Sequence, residues 1–585
     1  MSDVVNGDDV PEHTEPMSEG ARGPVVEANG LSVKYQGAER AALEEVDFRL
    51  ARGKAIAIMG HTGAGKSTLL KCLNGLIPNF QHADISGSLS VFGLSPSERS
   101  VAELAGKVGI VFQEFENQLF CTNVEQEVAF GPENLGVDPD EIRRRVAECL
   151  EVVGLSGFEG REPASLSGGE KQRLAIASVL AMHPDLLLLD EPTTDLDPEA
   201  RMAVYQVVSR LHRLGVTVIM VEHDVEPLVH FDGIVLMQHG RLGASLNPAQ
   251  LCGQPDVLSR SGVRPHQVAA ACQAVGTDEV VLDVDEAYRT ISRSFVPNYE
   301  RYEALVKAER QDALTQEPPL IEVQSLSHSY EKGRFVIRNI SLSIRQGDFI
   351  AIVGRNGSGK TTFVKHLNGL LKPTVGKVLL RGRDVSRMRI SELAKDVGLV
   401  FQNPDNQIFC ETIEQEVRFG PENLGYSEEQ IAGLVTSAIR TVDLTAKTGS
   451  DPFCLTKGER QRTAIASTLA CDPEVLILDE PTTGLDYSQE RNVMSMLSRL
   501  NSQGKTIIFI THSLHLVPEF ARRVIAFVDG GIVYDGPVRA FFEPQNQELL
   551  AQAGLVPPKV VELSHRFGMT ALSVSEFASL FDRRG

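Results

Sequence analysis

AIAIMGHTGAGKST (55–68) and FIAIVGRNGSGKTT (349–362) carry one reading twice. Each begins with an unbroken run of small and branched apolar residues. Such a run suits a strand buried on both faces, as in a parallel sheet covered by helices. Each then turns through three glycines, Gly60, Gly63 and Gly65 or Gly354, Gly357 and Gly359, into a segment with helical character. Glycine lets consecutive backbone N–H groups close around an anion, and the positive end of the following helix points at the same place. The expected fold class is therefore α/β, with two phosphate-loop domains in one chain.

The duplication extends outward from these loops. VGIVFQEFENQLF (108–120) matches VGLVFQNPDNQIF (397–409), and VEQEVAFGPENLG (124–136) matches IEQEVRFGPENLG (413–425). LLLLDEPTTDLD (186–197) matches VLILDEPTTGLD (475–486). Gln113 and Gln402, Asp190 and Asp479, and His223 and His512 all stand 289 residues apart, whereas Lys66 and Lys360 stand 294 apart. The second copy is thus five residues shorter between those points, around IPNFQHADISGSLSVFG, a stretch expected to be a surface connection. The copies are placed at 25–288 and 319–585, with a polar linker carrying a short helical pattern at 289–318 and a disordered acidic tail at 1–24. The first 20 residues hold six carboxylates and no Lys or Arg, too little apolar surface to offset the entropy of ordering. Stretches 137–180 and 426–470 read as helical insertions. SGVRPHQVAAACQAVG (261–276) and AGLVPPKVVELSHRFG (553–568) mark an extension at the end of each copy.

The spacing assigns chemistry to particular side chains. Lys66 and Lys360 are expected to reach the β- and γ-phosphates of ATP, with Thr68 and Thr362 completing the loops. Ser67 and Thr361 offer hydroxyls to Mg²⁺. Asp190 and Asp479 end buried strands, where each can hold the same ion. Glu191 and Glu480 follow at once, where a carboxylate can polarise an attacking water. His223 and His512 each lie 33 residues past the aspartate.

With LSGGEKQR (166–173) just ahead of Asp190, the chain resembles the ATP-binding-cassette family over nearly its whole length. The resemblance implies a RecA-like core sheet, a helical subdomain and a C-terminal extension in each copy, ATP hydrolysis, and head-to-tail pairing of the two cassettes. It implies that Ser167, Gly168, Gly169 and Glu170 close over the ATP of the second copy. Thr456, Lys457, Gly458 and Glu459 would close over that of the first. It further implies that Gln113 and Gln402 contact Mg²⁺ and the attacking water, that His223 and His512 contact the γ-phosphate, and that Tyr35 and Tyr330 stack on adenine. Asp197 and Asp486 match the aspartate of the loop that crosses the interface. LTKGERQR (455–462) departs from the pattern, because Lys457 stands where glycine would let the backbone approach phosphate. The two sites are therefore expected to differ, with Lys457 holding its loop away.

Composition narrows the class. The formal charge is −21, a poor match to the basic footprint of a nucleic-acid binder. The eight cysteines form no Cys-x-x-Cys pair, which argues against a zinc site or a disulfide framework. No apolar run reaches the roughly 18 residues that span a bilayer. ENQLF and DNQIF, each followed by GPENLG, together with GVRPHQV and GLVPPKV, resemble the ATPases of energy-coupling-factor importers. That resemblance implies an energy-coupling subunit at the cytoplasmic face of a membrane, working with a transmembrane coupling subunit and a small substrate-binding membrane subunit. The cargo would be a vitamin or a transition-metal ion. Glu116 and Asp405 would face the coupling subunit. The alternative is a soluble tandem-cassette translation factor acting on ribosomes.

Overall fold

The computed structural model describes residues 23–194, 196–312, 318–331 and 333–584. The expected acidic tail lies almost entirely outside the described residues. Each copy is built on a six-stranded sheet. In the first copy the order is Val108–Val111, Leu186–Asp190, Thr217–Val221, Ala55–Gly60, Gly233–Gln238 and Arg241–Leu246, parallel except for the last strand. The second copy repeats it with Val397–Val400, Val475–Asp479, Thr506–Ile510, Phe349–Val353, Arg523–Val528 and Gly531–Pro537. Every residue of 55–60, 186–190 and 217–221 is buried, which is why these strands read as continuous apolar runs. The strand that feeds the phosphate loop lies between 217–221 and 233–238. Its carboxyl end, and those of the strands ending at Asp190 and Val221, therefore open on the same edge.

A separate antiparallel sheet flanks this core. In the first copy it runs Leu43–Leu50, Val26–Tyr35, Ala83–Val91. The stretch expected to be a surface connection is thus only partly one. Phe80, Gln81 and His82 are exposed at its tip, but residues 83–91 pair along Val26–Tyr35, where their backbone groups find partners. The helical insertions are Val124–Asn134, Pro139–Val153 and Gly168–Leu180, and Ile413–Asn423, Glu428–Thr441 and Lys457–Leu469.

The segment placed as a linker is folded over most of its length. Residue 288 falls inside the helix Val284–Ser294, which buries Ala287 and Ile291. Phe295–Pro297 then pairs with Phe581–Arg583 at the far end of the chain. The helix Tyr299–Asp312 follows it. Buried Arg539 ties that helix down by pairing with both Glu309 and Glu576 at 2.7 Å. Residues 313–317 of the expected linker lie outside the described residues. The two extensions form one body: Val268, Ala271, Cys272, Ile291 and Phe295 of the first copy share a core with Val560, Leu563, Phe577 and Phe581 of the second.

Candidate functional site

The phosphate loops have the geometry their glycines permit. Gly60 and Gly354 take φ of 151° and 141°, and a β-carbon on either would collide with a carbonyl oxygen of the neighbouring strand, that of Met237 or Phe527. Lys66 folds back so that Nζ donates to the carbonyls of Gly60 at 2.8 Å and His61 at 2.9 Å. Lys360 does the same to Gly354 and Arg355, both at 2.8 Å. Burial lowers the pKa of both ammonium groups. The hydroxyl of Ser67 donates to Asp190 Oδ1 at 3.0 Å, and that of Thr361 to Asp479 Oδ2 at 2.8 Å. Tyr35 lies 3.1 Å from Thr68 Oγ1 through its hydroxyl, and Tyr330 3.3 Å from Thr362 Oγ1. Each tyrosine is thus beside the helix that leaves its loop.

Glu191 and Glu480 are buried at the strand ends with φ of 47° and 50°. A non-glycine residue in this left-handed region is strained, and such residues concentrate at functional sites. Gln113 Nε2 donates to Glu191 Oε2 at 2.8 Å, and Gln402 Nε2 to Glu480 Oε2 at 3.0 Å. Nε2 of His223 lies 2.8 Å from the other oxygen of Glu191, and that of His512 2.7 Å from Glu480. Burial pushes Asp190 up to about 6, helped by the adjacent Glu191 charge and opposed by the Ser67 hydrogen bond. Burial would also raise Glu191, but His223, Lys66 and Lys457 outweigh it and hold the carboxyl at about 2. Glu480 is lowered against burial by His512 and Lys360.

The Lys457 charge acting on Glu191 crosses from one copy to the other, as the direct contacts do. Asp486 Oδ2 accepts from the Thr62 N–H of the first phosphate loop at 2.9 Å, and His61 lies 3.5 Å from the same oxygen. At the equivalent place Arg355 of the second loop pairs with Glu199 of the first copy. Tyr487 N–H donates to Gly262 O at 3.0 Å. Each phosphate loop thus faces elements of the opposite copy.

The signature segments are locally alike despite the substitution at Lys457. Ser167 and Thr456 both cap their helices through reciprocal bonds with Glu170 and Glu459. Their backbones agree closely, φ −65°, ψ 160° against φ −64°, ψ 157°. A β-carbon on Gly168 would meet its nearest neighbour at 3.8 Å, ordinary contact. Lysine at this first helical position therefore fits without distorting the local backbone, and its side chain adds a charge. Gly169 and Gly458 are the tight positions, since a β-carbon there would press on Ala200 or Gln489.

Glu116 and Asp405 are exposed, and each pairs with its own signature helix, Glu116 with Lys171 at 2.6 Å and Asp405 with Arg460 at 2.8 Å. Sequence reasoning did not find Arg264 or His515, which meet between the copies at 2.5 Å. The only signal was a difference between copies, since Val556 occupies the place of Arg264.

The profile of the ABC transporter family matches residues 43–194 and 337–483. A protein of Caldanaerobacter subterraneus subsp. tengcongensis named as an ABC transporter ATP-binding protein is 42% identical over 93% of this chain and 96% of its own. One of Methanosarcina acetivorans with the same description is 38% identical over 92% and 90%. Among solved structures, cbiO1 from Clostridium perfringens, described as part of the ABC transporter complex cbiONQ, is 32% identical over 40% of this chain and 96% of that one, with a TM-score of 0.37. With two matched cassettes and relatives aligned over nearly the full chain, this protein belongs to the ABC transporter family and is a tandem-cassette ATPase.

Proposed function

We propose that the chain is the energy-coupling subunit of a membrane importer of the energy-coupling-factor type, carrying a vitamin or a transition-metal ion. It would be held at the cytoplasmic face by a transmembrane coupling subunit that works with a small substrate-binding membrane subunit. The observation that carries this reading is a duplicated exposed aromatic pair. Phe120 and Phe130 meet edge to face at 4.7 Å, and Phe409 and Phe419 meet at the same distance and angle. Phe120 is 63% exposed and Phe409 59%. Each pair follows the segment after Gln113 or Gln402 and has Glu116 or Asp405 close by in sequence. Clustered apolar surface of this kind marks a docking site, and its repetition suits a partner that presents a pair of helices. No helix among the described residues is long and apolar enough to cross a membrane, so the spanning segments would come from that partner.

In this reading Lys66 and Lys360 hold the β- and γ-phosphates. The oxygen donors Ser67, Asp190 and Gln113, and Thr361, Asp479 and Gln402, fit Mg²⁺, a hard ion that prefers oxygen and keeps part of its shell for phosphate. When bound, the ion would neutralise charge on the phosphate oxygens. Glu191 and Glu480, kept ionised, accept a proton from the attacking water, while His223 and His512 orient them and contact the γ-phosphate. Ser167 with Gly168 and Gly169, and Thr456 with Lys457 and Gly458, present helix N-termini to the phosphate across the interface. ATP thereby draws the copies together, hydrolysis releases them, and the aromatic surfaces move with the helical insertions.

Changing Phe120→Ser together with Phe409→Ser tests the coupling role. The intact chain is expected in the membrane fraction with its native partners, and the double variant is expected to leave that fraction while ATPase activity of the purified chain persists. Membrane recovery that the double variant leaves unchanged, or an intact chain that sediments with ribosomes rather than with membranes, would overturn the importer reading.

A further inference from the structure

Arg264 belongs to the extension of the first copy, in GVRPHQV. Its backbone bridges to Asp224, and its N–H faces the His223 carbonyl at 3.5 Å. Its guanidinium pairs with Asp224 and donates from Nη1 to Nδ1 of His515 in the second copy at 2.5 Å. Arginine can only donate, so Nδ1 of His515 accepts. Its Nε2–H then donates onward to Glu490 Oε2 at 2.8 Å. Burial, and then the Arg264 charge, keep His515 below its ordinary range, which favours this neutral bridging form. Glu490 stands in the first turn of the helix Tyr487–Ser502, whose capping residue Asp486 holds Thr62.

One side chain therefore links three elements. It reaches the loop after His223 through Asp224 and the loop after His512 through His515, and His515 carries the contact on to the helix behind the interface aspartate. It also walls a cavity of about 100 Å³ between the copies, to which both His223 and His512 contribute. The arrangement is one-sided. The matching positions hold Val556 for Arg264, Ser513 for Asp224, Glu226 for His515 and Arg201 for Glu490, and Val556 is 52% exposed. A buried ion pair gains little stability over an apolar replacement of similar volume, so stability is a weak explanation for placing one here.

We propose that Arg264 is a positioning residue that locks the loops after His223 and His512 together, so that closure of one ATP site sets the placement of the histidine in the other. The chain Asp224–Arg264–His515–Glu490 transmits this, and it runs from the first copy to the second with no counterpart in the reverse direction. The proposal rests on the roles given above to Glu191, Glu480, His223 and His512.

The test uses the full chain. Glu480→Gln leaves the site of Glu191 as the working site. In that background Arg264→Met is expected to lower kcat about tenfold, the scale of a modest misplacement of a reacting group, with KM for ATP within about twofold. His515→Leu, although in the other copy, is expected to give the same loss, and the two together no more than either alone. Arg264→Lys should recover part of the rate. Additive losses, unchanged rates, or a loss appearing only as raised KM would overturn the proposal and leave Arg264 a structural contact. Should Arg264→Met fail to fold, His515→Leu and Glu490→Gln carry the same comparison. Failure of the underlying roles shows separately: neither Glu191→Gln nor Glu480→Gln alone would then slow turnover.

Discussion

The two ATP sites share a backbone and differ in charge. In the proposed arrangement the site of Lys66, Asp190, Glu191 and His223 pairs with Thr456-Lys457-Gly458, whose lysine charge acts on Glu191, and that of Lys360, Asp479, Glu480 and His512 pairs with Ser167-Gly168-Gly169. Phosphate-loop lysines, strained glutamates and helix caps agree across the pair. Only Glu191 has a cation from the opposite signature acting on it. The ammonium of Lys457 lies over Gly484 of its own copy, where a β-carbon would collide with it. The lesson is that a duplicated enzyme can separate its sites without moving a loop. A cation near the γ-phosphate tightens ATP binding, yet it also makes the neighbouring carboxylate a weaker base.

The largest expected effect follows from that weakness. If the site of Glu480 carries most of the turnover, Glu480→Gln should lower the steady-state rate of the full chain about tenfold or more, within the range that general bases contribute. Glu191→Gln should cost less than about twofold, because it silences the slower site. Equal losses in a steady-state ATPase assay would break the comparison.

Lys457→Gly sharpens it at a smaller scale. Lys457 is only half-buried, so solvent screens its charge and an effect of a few fold is expected. Measured in the Glu480→Gln background, hydrolysis should rise a few fold while the affinity of that site for a fluorescent ATP analogue falls by a similar factor. No change in either quantity would make the altered signature electrically silent.

The sequence made the shared chemistry legible and hid most of what separates the copies. The phosphate loops, the Asp–Glu strand ends and the histidines are local patterns repeated at one offset, so chance could not imitate them. The helical insertions were legible over 137–180 and 426–470, but their first helices, Val124–Asn134 and Ile413–Asn423, lie ahead of those bounds. The flanking antiparallel sheet was not legible, since Ala83–Val91 is rich in Ser and Gly and holds its place through pairing with Val26–Tyr35. The helix Tyr299–Asp312 was legible as a short helical pattern in a polar stretch, but its docking was not, because what fixes it is Arg539, far along the chain. Arg264 was illegible for the same reason: its partners are 40 and 251 residues away. Interface contacts are non-local, and a single sequence gives them no local period.

The extensions offer the smallest test of difference between copies. His266 precedes the helix Gln267–Val275, is 4% exposed, and accepts the Ala269 N–H through Nδ1 at 3.4 Å. Pro558, which cannot titrate, occupies the matching place before Lys559–Arg566. Burial lowers His266 to about 4, with Asp224 opposing and Lys559 and Arg264 assisting. A histidine must be unprotonated at Nδ1 to cap in this way. Its folded value lies below its unfolded one, so the unfolded chain binds the proton first. The contribution to stability is therefore complete above about pH 6.5 and is lost as the pH falls toward 4. By pH 5 the loss amounts to about 2 kcal/mol. His266→Asn keeps a capping acceptor without the titration. Thermal melts of the two proteins at pH 7.5 and pH 5 should therefore diverge, with the unaltered chain losing more of its melting temperature in acid. Parallel losses would show that His266 does not set the acid response, and that the two extensions are equivalent in this respect.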